Sequence, residues 1–143
     1  MIVRAILDTK GRDVTTITPN KTLGEAAHLL AKQKIGALIV TDTDRRVTGI
    51  LSERDIVKAV SIDGAAALQA TVASFMTREV VTCGTDDTMA ELMGRMTAGR
   101  FRHMPIIENG KLAGIISIGD VVKHRLAEME HESSALRNYI MTA

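Results

Sequence analysis

The sequence predicts a mixed α/β (α+β) fold made of two copies of one β-α-β-β-α unit, with a long helix at the C-terminus. Three observations carry this reading. The chain repeats itself; each copy opens a helix with Thr-x-x-Glu between β-branched runs; and each copy ends in Gly-apolar-apolar-Ser-x-x-Asp, at Gly49 to Asp55 and again at Gly114 to Asp120. An internal repeat sets the architecture ahead of any single residue, because both copies must build the same supersecondary unit.

At an offset of 66, Val14, Thr16, Thr22 and Glu25 match Val80, Thr82, Thr88 and Glu91. Later the offset is 65, and Gly49, Ile50, Ser52, Asp55, Val57 and Lys58 match Gly114, Ile115, Ser117, Asp120, Val122 and Lys123. The second copy is therefore one residue shorter between the positions of Val40 and Gly49. A hairpin tip absorbs such a change, since a shift inside paired strands would turn every side chain to the wrong face.

The elements follow in order. Residues 1–13 form an N-terminal extension, and 14–60 make the first unit. Val14 to Thr18 is a short strand closed by Pro19-Asn20-Lys21. Thr22-Leu23-Gly24-Glu25 is a capping box, and Leu23, Ala26, Ala27 and Leu30 fall on one face of the helix it starts. Ala37 to Val40 and Val47 to Leu51 pair across Asp42 to Arg45. Residues 61–75 are the crossover linker, whose small, Ala-rich stretch has room for a helical turn or two. The second unit, 76–125, repeats the plan: a strand at Val80 to Cys83, a capping box at Thr88 to Glu91, and a helix face of Met89, Leu92, Met93 and Met96. Methionines in such a stripe fill irregular core space more often than they ligate anything. Met104 to Ile107 and Leu112 to Ile116 are joined through Asn109-Gly110, a strong hairpin signal. The last helix starts near Ser117 and continues through a C-terminal helical extension at 126–143. Its Val122, Leu126, Met129, Leu136 and Ile140 form a seam that either lies back on its own unit or meets a second copy of the chain.

Composition narrows the function classes. The 143 residues carry a formal charge of +1 with both signs interspersed, so no net field draws the chain to nucleic acid or anionic membrane. Two Phe, one Tyr and no Trp leave few platforms for stacked bases. No run is long enough to span a membrane, the start lacks a secretory h-region, and the single Cys83 has no internal disulfide partner. The expectation is a cytoplasmic protein without nucleic-acid or membrane partners.

The Ser-x-x-Asp pairs allow two readings. As helix caps, Ser52 and Ser117 accept from the first-turn amides while Asp55 and Asp120 return the bond. As a site, the same free amides and hydroxyl suit an anion, and an Asp in the first turn can accept from the two hydroxyls of a ribose. Together with Thr48-Gly49, Ala113-Gly114 and the run Arg102-His103-Met104-Pro105-Ile106, the repeated endings make the chain strongly resemble the tandem form of the cystathionine β-synthase (CBS) domain. The resemblance spans about residues 14–60 and 76–125.

That resemblance implies two βαββα units related by a pseudo-twofold and packed through their sheets, with two equivalent clefts. It implies an adenine ligand: AMP, ADP, ATP, NAD or S-adenosylmethionine, with Mg accompanying a polyphosphate. By position, Asp55 and Asp120 would take ribose hydroxyls, with Ser52 and Ser117 beside ribose or phosphate. Thr16, Ile17, Thr82 and Cys83 would edge the adenine, and Ala37 and Met104, with Pro105 following, would wall it. It also implies a homodimer.

The residues themselves make the clefts unequal. Glu53-Arg54 stands where the second copy has Ile118-Gly119, and Arg102-His103 where the first has Gly36-Ala37. If Arg54, Arg102 and His103 converge on one anion, the cleft at Asp55 is strong and that at Asp120 weak or empty. The plain alternatives are solvated arginines, a hydrogen-bonded strand-end histidine and a core cysteine. His124 and His131 lack a third metal ligand. No catalytic constellation is legible, so the expectation is a non-catalytic regulatory module that binds an adenine nucleotide and signals by a change of packing to a separate protein target or within its dimer. Its rivals are a ligand-independent dimerisation or partner-binding scaffold with vestigial clefts and, more distantly, a small nucleotide hydrolase.

Overall fold

The computed structural model describes residues 2–142. Met1 and Ala143, the outermost residues of the two expected extensions, lie outside the described residues. The element order is α1 (Val3–Lys10), β1 (Thr16–Ile17), α2 (Leu23–Gln33), β2 (Ala37–Thr41), β3 (Val47–Ser52), α3 (Glu53–Asp63), a 3₁₀ stretch (Gly64–Gln69), α4 (Val72–Phe75), β4 (Cys83–Gly84), α5 (Met89–Gly99), β5 (His103–Glu108), β6 (Lys111–Ser117) and α6 (Ile118–Thr142). Two three-stranded sheets result, β1-β2-β3 and β4-β5-β6, each with one parallel and one antiparallel pair.

The local chemistry that the sequence announces is in place. Thr22 Oγ1 accepts from the Glu25 amide at 3.1 Å, and Thr88 Oγ1 from the Glu91 amide at 3.2 Å, so both first helices start where the Thr-x-x-Glu motifs predict. Leu23, Ala26 and Leu30 are buried on α2, and Met89, Leu92 and Met96 on α5. Asn109 and Gly110 both take positive φ, 55° and 77°, as a two-residue hairpin turn requires. The missing residue is at that tip: Thr41 faces Val47 in the first hairpin, and Ile107 faces Leu112 in the second. The first strands are shorter than expected and begin later, at Thr16 and Cys83.

Each half has its own core. Leu38, Val40, Leu51 and Ile56 centre the first; Met104, Ile106, Ile116 and Val121 centre the second. All five residues of β2 are buried, including Ala37, Ile39 and Thr41, which alternate away from their own helices. Pro105 is likewise buried in β5. These are the faces through which the sheets pack, and the halves are also tied by Leu112 N–H donating to Arg45 O (3.0 Å) and Arg45 Nε donating to Leu112 O (3.1 Å).

The segments ahead of the repeats are exchanged. α1 precedes the first unit but buries Val3, Ile6 and Leu7 in the second core, its Val3 and Arg4 amides donating to Asp87 O and Thr85 O. Reciprocally, α4 precedes the second unit and buries Val72 in the first core, its Val72 and Ala73 amides donating to Lys21 O and Pro19 O. Residues 1–13, read from sequence as an extension, thus supply part of a core. Of the two readings of the C-terminal seam, lying back on its own unit is not what the structure shows. Val121 is buried, but Leu126, Met129, Leu136 and Ile140 are all exposed.

Candidate functional site

Both Ser-x-x-Asp motifs close as full caps. Ser52 N–H donates to Asp55 Oδ2 at 2.8 Å, Ser52 Oγ donates to the same oxygen at 3.1 Å, and the Asp55 amide donates to Ser52 Oγ at 3.2 Å. Ser117 and Asp120 repeat this at 2.8, 3.0 and 3.1 Å. Both pairs are half-buried at the start of α3 and α6, and in each the cap uses only one carboxylate oxygen.

A cleft of about 340 Å³ opens between the halves beside the second of these caps. Ile35, Gly36 and Ala37 line it at the start of β2, Val14 and Thr15 ahead of β1, and His103, Ile115 and Ser117 from the second sheet. Lys10 and Asp13 join from the end of α1 and the loop after it. This volume is at the small end of the range for small-molecule pockets.

Of the residues expected at a site, Ala37, His103 and Ser117 meet here, with Asp120 held to Ser117. Thr16 is half-buried in β1 and Ile17 packs into the first core, so the cleft is edged by the preceding Val14 and Thr15. Thr82 is exposed just before β4. Cys83 is buried with its Sγ 3.7 Å from Pro105 O, and burial, reinforced by the Asp87 charge, pushes its thiol up to about 12. It is therefore no thiolate at neutral pH. Met104, expected to wall the adenine, has its side chain fully buried in the second core, because strand alternation puts it on the face opposite His103. Arg54 and Arg102 are exposed. The charges that act on His103 are those of Lys10, Arg102 and Asp120.

Sequence reasoning did not place Lys10, Asp13, Val14, Thr15, Ile35, Gly36 or Ile115 at a site. Lys10 matters most. Its Nζ donates to Asp120 Oδ2 at 2.5 Å and to Ile115 O at 3.0 Å. Burial raises the Asp120 carboxyl, but the bond and charge from Lys10 and the Ser117 amide outweigh it, holding the group below its ordinary range. His103 is shifted down by burial first, then by the positive charges of Lys10 and Arg102, against the opposing pull of Asp120. Its imidazole is neutral at pH 7 and offers one donor and one acceptor. Among the described residues no group of three or more His, Cys, Asp or Glu is placed to hold a metal ion, and no helix is long and apolar enough to cross a membrane.

Comparison with known proteins fits this geometry. The CBS-domain containing protein ATU1752 from Agrobacterium tumefaciens, a crystal structure, is 57% identical with a TM-score of 0.83, covering 87% of this chain and 99% of that one. The CBS domain protein PAE2072 from Pyrobaculum aerophilum, solved in complex with AMP, is 26% identical with a TM-score of 0.74 over 84% of this chain and 89% of that one. A 17.7 kDa protein of Acidianus ambivalens is 40% identical over 111 residues, which are 77% of this chain and 66% of that protein. The chain spans only 21% of CBSCBSPB5, a CBS domain-containing protein of Arabidopsis thaliana. Residues 3–62 and 72–127 each match the family model described as the CBS domain, taking in α1 and α4 as well as the repeats. With two such matches over most of its length and the exchanged β-α-β-β-α halves described above, the chain belongs to the CBS domain family as a tandem pair.

Proposed function

We propose that the chain is a cytoplasmic, non-catalytic regulatory module that binds an adenine nucleotide of the AMP, ADP, ATP or NAD class between its two CBS halves. The observation that carries this is the cleft where Ser117, which is bonded to the first-turn carboxylate of Asp120, and His103 join apolar Ile35, Ala37 and Ile115. Ribose hydroxyls suit the carboxylate, and adenine suits the apolar wall with backbone groups at its edge. The AMP complex of PAE2072 supports the ligand class. The matching Ser52 and Asp55 would serve the pseudo-equivalent cleft, with Arg54 and Arg102 as phosphate partners and Mg accompanying a polyphosphate. The output is a change in packing between the halves or between two copies, read by a separate protein target.

Two copies of the chain are the natural assembly. Val57 and Ile62 on α3 are 67% and 66% exposed, and Leu126, Met129, Leu136 and Ile140 on α6 are 56–65% exposed. Val57 and Val122 are matching positions of the repeat, and both are exposed. Exposed apolar surface on two helices fits a contact between two copies of the chain.

The scaffold reading draws on one specific observation: both Ser–Asp pairs are already satisfied as caps. Thermal unfolding against AMP, ADP, ATP, NAD and S-adenosylmethionine separates the two. A rise in melting temperature with one ligand, lost in the Asp55→Ala/Asp120→Ala double variant, supports the nucleotide sensor, since selective binding to the native state adds stability. No rise with any of them leaves the scaffold.

A further inference from the structure

α1 and α4 are counterparts in the exchange, yet α1 has eight residues and α4 four. The extra turn of α1 ends at Lys10 and is closed by Gly11 at φ 99°, a backbone geometry that suits glycine. It carries an ammonium into the cleft at Asp120. Met76 sits against Gly49 as Leu7 sits against Gly114, but only four residues separate Met76 from Val80, where seven separate Leu7 from Val14. The cation in that shorter segment, Arg78, donates instead to Ala73 O at 3.1 Å, and the position matching Lys10 is Glu79.

Any ribose that reaches Asp120 meets this ammonium first. Lys10 Nζ sits on Oδ2, and the pair is partly shielded, with side chains 36% and 24% exposed. A neutral hydroxyl is a weaker donor to a carboxylate than an ammonium, so a ribose diol alone cannot replace it without loss. Displacement becomes favourable only when the incoming molecule brings its own anion. Asp13, the other carboxylate of the cleft, is exposed and offers the ammonium little beyond what water does. A phosphate within the cleft offers a charge-assisted bond in exchange.

We infer that Lys10 is a displaceable internal cation that makes the Asp120 cleft select phosphorylated ribosides over bare nucleosides, passing from the carboxylate to the phosphate as the ligand enters. This rests on the nucleotide reading above. It deepens that reading by naming the group the cleft requires, and it links occupancy to α1, because the lysine that moves is the last residue of that helix.

The test is calorimetry with AMP and adenosine on the full chain carrying Asp55→Ala, so that only the Asp120 cleft reports. With Lys10 present, AMP should bind more tightly than adenosine by at least about tenfold, the size of a hydrogen bond to a charged group. Lys10→Met should tighten adenosine and weaken AMP, bringing the two within about threefold, while Lys10→Arg should keep the preference for AMP. An unchanged ratio in Lys10→Met with binding intact overturns the inference and spares the nucleotide reading. Failure of AMP and adenosine to bind even when Asp55 is intact overturns both.

Discussion

Gly49 and Gly114 are the same residue in the two copies, and each lies where an exchanged segment crosses a strand. A Cβ on Gly49 would sit 2.7 Å from Met76 Sδ and 2.9 Å from Thr77 O, and one on Gly114 would sit 2.5 Å from Leu7 Cδ2. The Thr77 carbonyl accepts from Ile50 N–H, so it is not free to retreat. Gly49→Ala should therefore destabilise the fold by about 1–3 kcal/mol. Gly119→Ala, whose nearest neighbour is Ser117 Oγ at 3.6 Å, should be neutral or stabilise by up to about 1 kcal/mol. Urea unfolding of the two variants checks the contrast, and equal losses would refute the crossing as the reason for glycine. At this scale the caps, the hairpin turn and the cysteine's core role were legible, because each depends on near neighbours in sequence. The partnership of Lys10 with Asp120 was not, since 110 residues separate them.

The first helix is the element the sequence conceals. Residues 3–10 show three large apolar positions, Val3, Ile6 and Leu7, that could belong to any surface helix, and their burial depends on elements more than 70 residues away. Ile6 is 1% exposed in the core built by Met89, Leu92, Met104 and Ile116. Ile6→Ala should cost about 2–5 kcal/mol, as do other large-to-small changes in a packed core. Amide exchange should show protection falling first in α5, β5 and β6. Equal loss in α2, β2 and β3 would contradict the assignment of α1 to the second half. α2 and α5 were legible through their periodicity, since they bury residues within their own units. The opposite holds for the cleft: it lies between units, so near-neighbour patterns reach Ala37, His103 and Ser117 of its lining, while Met104, one position along the strand from His103, is in the core.

On the scale of the whole molecule, the exposed apolar stripes of α3 and α6 set the expected assembly. Light scattering should give twice the chain mass, and Val57→Asp/Leu126→Asp should reduce it to one chain without loss of helical circular dichroism. A wild-type monomer at tens of micromolar would remove the dimer from the proposal. Both exposed surfaces are carried by helices that start at a Ser–Asp cap, α3 at Ser52 and α6 at Ser117.

The exchange of leading segments also sets an order in time. During synthesis α1 emerges ahead of both units, but the core that receives Val3, Ile6 and Leu7 is complete only when Val121 has been made. At ordinary translation rates the helix waits on the order of ten seconds with its apolar face uncovered. The first half, whose α4 follows it at once, can close during that interval. A segment made ahead of both units thus finds its place only after the second is complete.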